Sequence, residues 1–160
     1  MGAWPEPVQR VAAFLGYTGA EVRVEEFPAG TPTAQDAADA IGCKLGEIVK
    51  SLVFECDGRS VLALVPGDRR ADAAKIARAV GAERASVASA PRVRELTGFE
   101  PGAVAPFPPA NVDHVLIDRL LLLHEHVWVG AGSTTHLARL APTELVRLSR
   151  AVALDLAADP

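Results

Sequence analysis

The sequence predicts a mixed α+β fold formed by a single domain over residues 1–160. Two observations lead to this class. Apolar residues recur with helical spacing in some segments and alternate as in strands in others, and the two kinds of segment follow one another irregularly. No internal repeat, low-complexity tract or interdomain linker divides the 160 residues, which are enough to bury a substantial core.

The first segments are two predicted helices with a strand between them. Apolar residues at positions i, i+3, i+4 and i+7 predict a helix over residues 5–15. Charged residues alternate with apolar ones over residues 21–27, which indicates a short strand. After a break rich in proline and glycine, a second helix is predicted over residues 33–41, with Thr33 as its N-cap.

The middle of the chain is predicted to form a β-hairpin. Asp57-Gly58 is a dipeptide that favours a two-residue hairpin loop. Strands are therefore predicted on either side of it, over residues 48–55 and 60–65. A third helix is predicted over residues 71–80, where the helical apolar pattern returns before Gly81.

The last part of the chain combines a loop with further strands and helices. Four prolines and two glycines over residues 98–109 indicate a shaped loop. Pro142 lies where proline favours the first turn of a helix. The remaining predicted elements are a strand at residues 86–88, a helical turn at 91–96, strands at 112–117 and 126–129, and a helix from Pro142 to about Ala157.

Composition and charge exclude several functional classes. The formal net charge of −4 disfavours a broad nucleic-acid footprint, DNA included, although a short contact with one nucleic-acid end remains compatible with it. Arginines that lie close in sequence are compatible with a local basic patch or with a solvated surface; they are Arg69, Arg70, Arg84, Arg92 and Arg94. No apolar run is long enough for a membrane span, and no export signal is evident, so we expect a cytoplasmic protein without a membrane partner.

The cysteines and histidines do not suggest a metal centre. Cys43 and Cys56 form neither a disulfide framework nor a metal quartet, so we expect two reduced structural thiols. The four histidines lack the spacing of a set with a third ligand. The sequence therefore predicts no metal and no cofactor.

Lys50 is the one charged residue on an apolar strand face. Alternation over the predicted strand places it with Ile48, Leu52 and Phe54. A buried ammonium is costly unless it is paired. An edge strand protected by lysine, or a side chain that extends to water, explains this pattern without a function. A functional lysine is the third interpretation.

Four motifs follow one another along the chain. They are GEIVKSLV at residues 46–53, VPGDRR at 65–70, TGFEPGAVAPF at 97–107, and GAG at 130–132 followed by PTEL at 142–145. In order and spacing this set resembles the YbaK/EbsC family, which is similar to the editing domain inserted in bacterial prolyl-tRNA synthetases. The resemblance extends from Val8 to about Ala151, which is nearly the whole chain.

The resemblance implies a mixed, mostly antiparallel β-sheet surrounded by helices, and an aminoacyl-tRNA deacylase activity. The family's key lysine corresponds to Lys50, and its glycine-containing loop corresponds to residues 98–106. Ester hydrolysis develops negative charge on the carbonyl oxygen, and one fixed donor aimed at it contributes ~3–4 kcal/mol. The backbone N–H groups of Gly102 and Ala103 are the expected donors; the alternative for Gly102 is a plain turn glycine.

Lys50 is expected to hold a phosphate or the ester region as a cation. Its ordinary pKa of about 10.4 makes it an unsuitable general base. No set of residues resembles a serine–histidine–aspartate triad, so we expect water to be the nucleophile, positioned partly by the ribose hydroxyl of the substrate. Ser51 is included among the substrate-binding candidates, although strand alternation places it on the opposite face, which favours a structural role.

The remaining candidates are implied by the resemblance, and each has a structural alternative. Thr31 and Thr33 match the entry to the substrate pocket, and helix capping is the alternative for Thr33. Asp118 matches an acidic residue of the family. Its two alternative roles are to orient Lys50 or water, or to cap the segment that follows. Gly130 and Gly132 line the pocket or turn the chain. The substrate-binding set is completed by residues of the loop, which are Gly98, Pro101 and Pro106.

The predicted function is trans-editing of mischarged tRNA that carries a small amino acid such as alanine, cysteine or serine, on tRNA(Pro) or a similar tRNA. The expected partners are the aminoacylated acceptor end and an aminoacyl-tRNA synthetase; the sequence leaves the oligomeric state open. A non-catalytic module that binds an aminoacyl or nucleotide group in the same fold is the alternative.

Overall fold

In the computed structural model, which describes residues 4–27, 33–107 and 111–160, the chain forms five α-helices and eight β-strands. The helices are α1 (Glu6–Thr18), α2 (Ala34–Ile41), α3 (Ala73–Ala79), α4 (Ala90–Thr97) and α5 (Pro142–Ser149). The strands are β1 (Arg23–Glu26), β2 (Val49–Cys56), β3 (Arg59–Pro66), β4 (Ser86–Val87), β5 (His114–Asp118), β6 (Val127–Ser133), β7 (His136–Leu140) and β8 (Val152–Leu154). Two 3₁₀ turns, Leu45–Glu47 and Arg119–Leu123, precede β2 and follow β5. None of the described helices has the length and apolarity to cross a membrane.

The strands form two sheets. The larger has the order β4-β2-β3-β5-β8, in which β3 and β8 each run parallel to β5 and the other neighbours are antiparallel. The smaller is the antiparallel sheet β1-β7-β6. An isolated parallel bridge between Ile48 and Trp128 connects the start of β2 with β6. The α+β class and the mixed, mostly antiparallel strand pairing are thus confirmed, with the strands divided between two sheets.

The five-stranded sheet is covered on both faces. Leu62 and Leu64 of β3 belong to a cluster that includes residues of α1, α4, α5 and the smaller sheet. The alternate residues Val61 and Ala63 belong to a second cluster on the other face, with Ile76 of α3. Because both faces are buried, β3 is a nearly continuous apolar run rather than an alternating one.

The predicted hairpin and the predicted Thr33 cap are confirmed, and the structure adds a cap that was not predicted. Asp57 and Gly58 both have positive φ, at 50° and 85°, as a two-residue turn of this kind requires. Thr33 caps α2, and the Asp72 carboxylate caps α3 by accepting hydrogen bonds from two backbone N–H groups. That cap explains why α3 begins at Ala73 and not at residue 71.

The prediction of one C-terminal helix to about Ala157 is wrong. The helix ends at Ser149, Arg150 adopts a left-handed conformation with φ of 60°, and the chain continues as β8. The alanine- and leucine-rich segment is locally compatible with a helix, so its own propensity gives no warning. Pairing with β5 overrides that propensity, because it completes the edge of the larger sheet.

Three further differences concern element ends and one missed strand. α1 continues past Gly16 to Thr18, and Gly19 is its cap. β6 continues through the glycines after Val129 to Ser133, and β7, which was not predicted, pairs with it. Burial explains the miss, because three consecutive residues of β7 are buried and the alternation expected of a strand is absent.

Candidate functional site

A pocket of about 270 Å³ opens between β2, α2, the smaller sheet and the loop that follows α4. Five consecutive residues, 48–52, contribute to its wall, so the pocket lies along the edge of β2 rather than on one face of the strand. The lining residues are Thr33, Ala34, Ala37, Ile48, Val49, Lys50, Ser51, Leu52, Gly102, Val104, Gly130 and Leu137. Five of the predicted site residues, from four separate segments, therefore meet here.

Lys50 contributes the only titratable side chain among the described pocket-lining residues. Its ammonium is partly buried and donates a hydrogen bond to the backbone carbonyl of Arg69. Burial lowers the pKa of Lys50 below its ordinary value; the Asp68 carboxylate opposes this shift, and the Arg70 guanidinium adds to it. An ammonium has three N–H donors, and the Arg69 carbonyl takes one of them. Lys50 is thus fixed in place with donors to spare for a ligand.

The loop that anchors Lys50 is positioned by close backbone packing at Gly67. A Cβ at this residue would lie 2.6 Å from the backbone oxygen of Leu45, so only glycine fits without a shift. The Gly67 N–H donates a hydrogen bond of 2.7 Å to the Ile48 carbonyl. The motifs at residues 46–53 and 65–70 therefore pack backbone to backbone, which places the Arg69 carbonyl beside Lys50.

Ser51 reaches the same pocket from the opposite face of β2. Its Oγ is buried, and no described residue forms a hydrogen bond with it. On the edge away from β3, the Val53 carbonyl accepts a hydrogen bond of 2.9 Å from the Ala88 N–H. Along an antiparallel strand, the backbone N–H and C=O groups of every second residue point to the same edge. Ser51 is two residues before Val53, so its N–H faces that edge as well. Ser51 pairs with Leu64 on β3 and has no ladder partner on the pocket edge within the described ranges.

The loop after α4 contributes Gly102 and Val104 to the pocket. Gly102 has a φ of 83°, as a turn position requires, and none of the residues described in the structure accepts a hydrogen bond from its N–H. The Ala103 N–H, in contrast, donates a hydrogen bond of 2.9 Å to the Glu100 carbonyl, and Ala103 is not part of the pocket lining. Of the two expected donors, the Ala103 N–H is therefore already engaged.

The two glycines of β6 have different surroundings. Gly130 lines the pocket, and a Cβ there would lie 2.7 Å from the Val104 carbonyl oxygen. Gly132 lies outside the pocket, where a Cβ would lie 2.8 Å from the backbone of Pro7, and its φ is 106°. Gly130 lets the loop backbone pack on the strand, whereas Gly132 lets β6 pack against the start of α1.

Thr33 caps α2 and also lies at the pocket. Its Oγ1 accepts a hydrogen bond of 3.0 Å from the Asp36 N–H and donates one of 2.8 Å to the Asp36 carboxylate, as an N-cap does. The same residue also lines the pocket. Thr31, the other predicted threonine, lies outside the described residues.

Asp118 is not brought to the pocket. Its side chain is fully buried at the end of β5, and one oxygen accepts a hydrogen bond of 2.8 Å from the Leu120 N–H. The other oxygen accepts hydrogen bonds from the N–H groups of Leu156 and Ala157, at 2.8 and 2.7 Å. This is the capping alternative, because the carboxylate holds the following turn and the C-terminal segment together.

The other predicted loop residues also lie outside the pocket lining. Gly98 ends α4 with a φ of 75°, and its carbonyl accepts a hydrogen bond of 3.0 Å from Arg10. Pro101 is exposed and Pro106 is buried. Within residues 98–106, only Gly102 and Val104 reach the pocket.

Sequence reasoning missed most of the apolar wall. Ala34 and Ala37 of α2 line the pocket, and neither was among the predicted site residues. Leu137 contributes from β7, the strand that was not predicted. The small-residue stripe of α2 was the one signal that could have indicated space beside the helix.

Four of the five arginines considered for a basic patch fall into two groups, and Arg84 belongs to neither. Arg92 and Arg94 of α4 form ion pairs with neighbouring glutamates. Arg69 and Arg70 belong to the anchoring loop, and no side chain in the described ranges forms an ion pair with either of them. Two arginines without a described ion pair therefore lie close to Lys50, together with the Asp68 carboxylate.

No group of three histidine, cysteine, aspartate or glutamate side chains that could hold a metal ion occurs within the described residues. Cys43 and Cys56 are free thiols. Burial raises the pKa of both thiols above the ordinary value. A raised pKa leaves little thiolate at neutral pH, so neither is activated as a nucleophile.

Similarities to known proteins extend over most of the chain. The sequence model of the aminoacyl-tRNA editing domain family matches residues 28–148. The uncharacterized protein YwhH of Bacillus subtilis (strain 168) is 35% identical over 127 residues, which cover 79% of this chain and 80% of YwhH. The multifunctional Ser/Thr-tRNA deacylase ProXp-y of Escherichia coli (strain K12) is 32% identical over 155 residues, which cover 89% of this chain and 92% of that protein.

A solved structure is similar over almost the entire fold. It belongs to a protein proposed to be a trans-editing enzyme for prolyl tRNA synthetase. Its TM-score with this chain is 0.90 at 38% sequence identity, and the superposition covers 98% of this chain and 100% of the other. The agreement includes the elements that build the pocket.

Proposed function

The chain belongs to the aminoacyl-tRNA editing domain family, and on this basis we propose that it hydrolyses the ester bond of mischarged aminoacyl-tRNA in trans. The proposed substrate carries a small amino acid such as serine, alanine or cysteine, on tRNA(Pro) or a similar tRNA. The proposed partners are the aminoacylated acceptor end of that tRNA and, for its delivery, an aminoacyl-tRNA synthetase.

One observation carries this proposal: a fixed ammonium and an apolar wall share one small pocket. The Lys50 ammonium lies at the wall, anchored by the Arg69 carbonyl, with spare donors for a phosphate or an ester oxygen. The volume of about 270 Å³ is at the lower end for a pocket that binds a small molecule, which suits an aminoacyl group better than a whole nucleotide. Ala34 and Ala37 set this space without polar groups.

In the proposed reaction, a water oxygen attacks the ester carbonyl carbon and the bond from that carbon to the ribose oxygen breaks. Negative charge then develops on the carbonyl oxygen. The backbone N–H groups of Gly102 and Ser51 are suited to stabilise it, and one such donor contributes ~3–4 kcal/mol. Lys50 is the only titratable group among the described lining residues, so the proton of water passes by way of the substrate's neighbouring ribose hydroxyl to the departing ribose oxygen.

Serine is the amino acid that we place first among the three. Ser51 lines the pocket, and its buried Oγ has no partner among the described residues, which is costly unless a ligand provides one. The hydroxyl of a seryl group can provide that partner. The name of the Escherichia coli relative, a Ser/Thr-tRNA deacylase, supports the same choice.

The experiment is the release of labelled amino acid from a panel of mischarged tRNAs, with the protein at substoichiometric concentration. We expect multiple turnovers with Ser-tRNA(Pro), Ala-tRNA(Pro) and Cys-tRNA(Pro), fastest with the first, and no release of proline from Pro-tRNA(Pro). The same panel with Lys50→Ala is the matched control. Tight binding of mischarged tRNA without turnover would contradict the proposal and support a non-catalytic binding module.

A further inference from the structure

A second cleft, of about 150 Å³, is lined in part by the loop that anchors Lys50. It is lined by Pro66, Asp68, Arg69, Leu120, Leu123 and His124. The Arg69 backbone carbonyl binds the Lys50 ammonium of the first pocket, whereas Arg69 itself lines this cleft. The two sites are therefore separated by a single stretch of chain, and a ligand that spans the loop can occupy both.

The walls of the cleft suit a flat, aromatic ligand. Leu123 is 79% exposed, although it belongs to a turn whose Leu121 is fully buried. The imidazole of His124 and the guanidinium of Arg69 are planar groups beside it. Nucleobases of single strands stack on side chains of this kind, and neither planar group has a hydrogen-bond partner within the described ranges.

The charge beside the cleft suits a phosphodiester. Arg69 and Arg70 have no ion-pair partner among the described side chains, and with Lys50 they form a local cationic group on a protein of net charge −4. At Lys50 burial lowers the pKa most; the Asp68 carboxylate opposes this shift, and the Arg70 charge adds to it. An anion that bridges these cations relieves their mutual repulsion.

We propose that this cleft receives the base of the unpaired nucleotide that precedes the aminoacylated one, with the intervening phosphate beside Arg69 and Arg70. This inference rests on the proposed function, which puts the aminoacylated terminal nucleotide at Lys50. In tRNA the preceding base is cytosine. The exposed Asp68 carboxylate at the cleft can accept a hydrogen bond from the cytosine amino group, which uracil lacks.

The test compares two adjacent leucines on two substrates. Leu123 lines the cleft, whereas Leu122 is exposed by 39% and does not line it, so Leu122→Ala is the matched control for Leu123→Ala. The substrates are a seryl minihelix and seryl-adenosine, which share the ester but differ in the preceding nucleotides. We expect Leu123→Ala to lower kcat/KM at least about fivefold on the minihelix and to leave seryl-adenosine unchanged. Leu122→Ala should change neither value.

A base exchange provides a second measurement. A minihelix whose preceding cytosine is replaced by uracil should be hydrolysed more slowly by the wild-type protein, and Asp68→Asn should reduce this discrimination. An equal loss on both substrates with Leu123→Ala would overturn the proposal, because it would indicate damage to the ester pocket. An unchanged kcat/KM of Leu123→Ala on both substrates would also overturn the proposal. The same holds if Leu123→Ala alone changes its oligomeric state.

The cleft can be tested even if the protein hydrolyses neither substrate. In that case the proposed function fails, but binding can still be measured. The probe is an unacylated CCA trinucleotide, whose affinity is measured by competition with a fluorescently labelled CCA trinucleotide. Weaker binding by Leu123→Ala than by Leu122→Ala would support the cleft as a base-binding site. Equal binding by the two variants, or no binding to the wild-type protein, would overturn it.

Discussion

The Lys50 ammonium donates a hydrogen bond to the backbone carbonyl of Arg69, nineteen residues further along the chain. A carbonyl anchor fixes the position of the ammonium, and no carboxylate in the part of the chain that the structure describes forms an ion pair with it. The charge therefore remains available to an anionic substrate, whereas a carboxylate partner would neutralise it.

The first prediction concerns activity. Lys50→Ala should abolish deacylation of mischarged tRNA, because it removes the fixed cation from the pocket. The fold should persist, since the change removes a partly buried charge that is costly to desolvate. Lys44→Ala, outside the pocket, is the control. Turnover near the wild-type rate by Lys50→Ala, with an unchanged circular dichroism spectrum, would refute the role assigned to Lys50.

The second prediction concerns stability against pH. Burial lowers the pKa of Lys50 in the folded state below the ordinary value of 10.5. Between those two pKa values the unfolded chain binds more protons than the folded chain, so this group makes the free energy of unfolding rise with pH. Lys50→Met should remove that rise and should be the more stable protein at neutral pH. Urea unfolding of both proteins from neutral pH to 10.5 tests this, and parallel pH profiles would contradict it.

The third prediction concerns the buried hydroxyl of Ser51. Ser51→Ala should not lower the free energy of unfolding, because the lost Oγ has no described partner. It should slow deacylation of Ser-tRNA about fivefold and leave Ala-tRNA unaffected, if one hydrogen bond of ~1 kcal/mol forms with the substrate.

Ser60→Ala is the contrasting variant for that experiment. The Ser60 Oγ accepts a hydrogen bond of 3.0 Å from the Asp113 N–H, so its removal should destabilise the protein by about 1 kcal/mol. Equal rates for Ser-tRNA with the wild-type protein and with Ser51→Ala would show that the hydroxyl does not contact the substrate.

The fourth prediction concerns the contact between β6 and the loop. Gly130→Ala should destabilise the protein by ~1–3 kcal/mol, because its Cβ would lie 2.7 Å from the Val104 carbonyl oxygen. It should also slow deacylation, since the displaced loop carries Gly102. Gly16→Ala has open space around the new Cβ within α1 and should instead stabilise by about 0.5–1 kcal/mol. If Gly130→Ala keeps the melting temperature and the deacylation rate of the wild-type protein, the prediction is wrong and the loop is free to shift.

The fifth prediction concerns salt. We expect the protein to neutralise two or three phosphates, which corresponds to a slope of about −1.4 to −2.1 for log affinity against log salt. A minihelix should therefore be hydrolysed nearly as well as full-length tRNA. Arg69→Gln with Arg70→Gln should flatten the slope, whereas Arg92→Gln should not, because Arg92 is engaged with Glu55. A steep slope, with the minihelix a hundredfold slower, would point to a longer basic footprint.

The sequence indicated those parts of the fold that local chemistry determines. The Asp57-Gly58 turn and the Thr33 cap are specified by neighbouring atoms, and both occur as predicted. β8 depends instead on a partner strand some 35 residues earlier, as the register of Leu116 with Val152 illustrates. A local pattern contains no information about such a pairing, and alanine-rich segments suit either outcome.

The site shows the same division. A charge on an apolar strand marked Lys50, which the structure places at the pocket. The sequence could not separate Gly130 from Gly132, because the distinction depends on which backbone approaches each glycine. Nor could it foresee that Glu100 engages the Ala103 N–H, since a turn's hydrogen bonds depend on its conformation.

The Asp118 carboxylate has a consequence for synthesis of the chain on the ribosome. Two of its three N–H donors belong to Leu156 and Ala157, so a nascent chain that has exposed β5 but not these residues leaves a charged group without its partners. The larger sheet is therefore completed only after these residues have followed β5 out of the ribosome, and until then the β5 edge stays open.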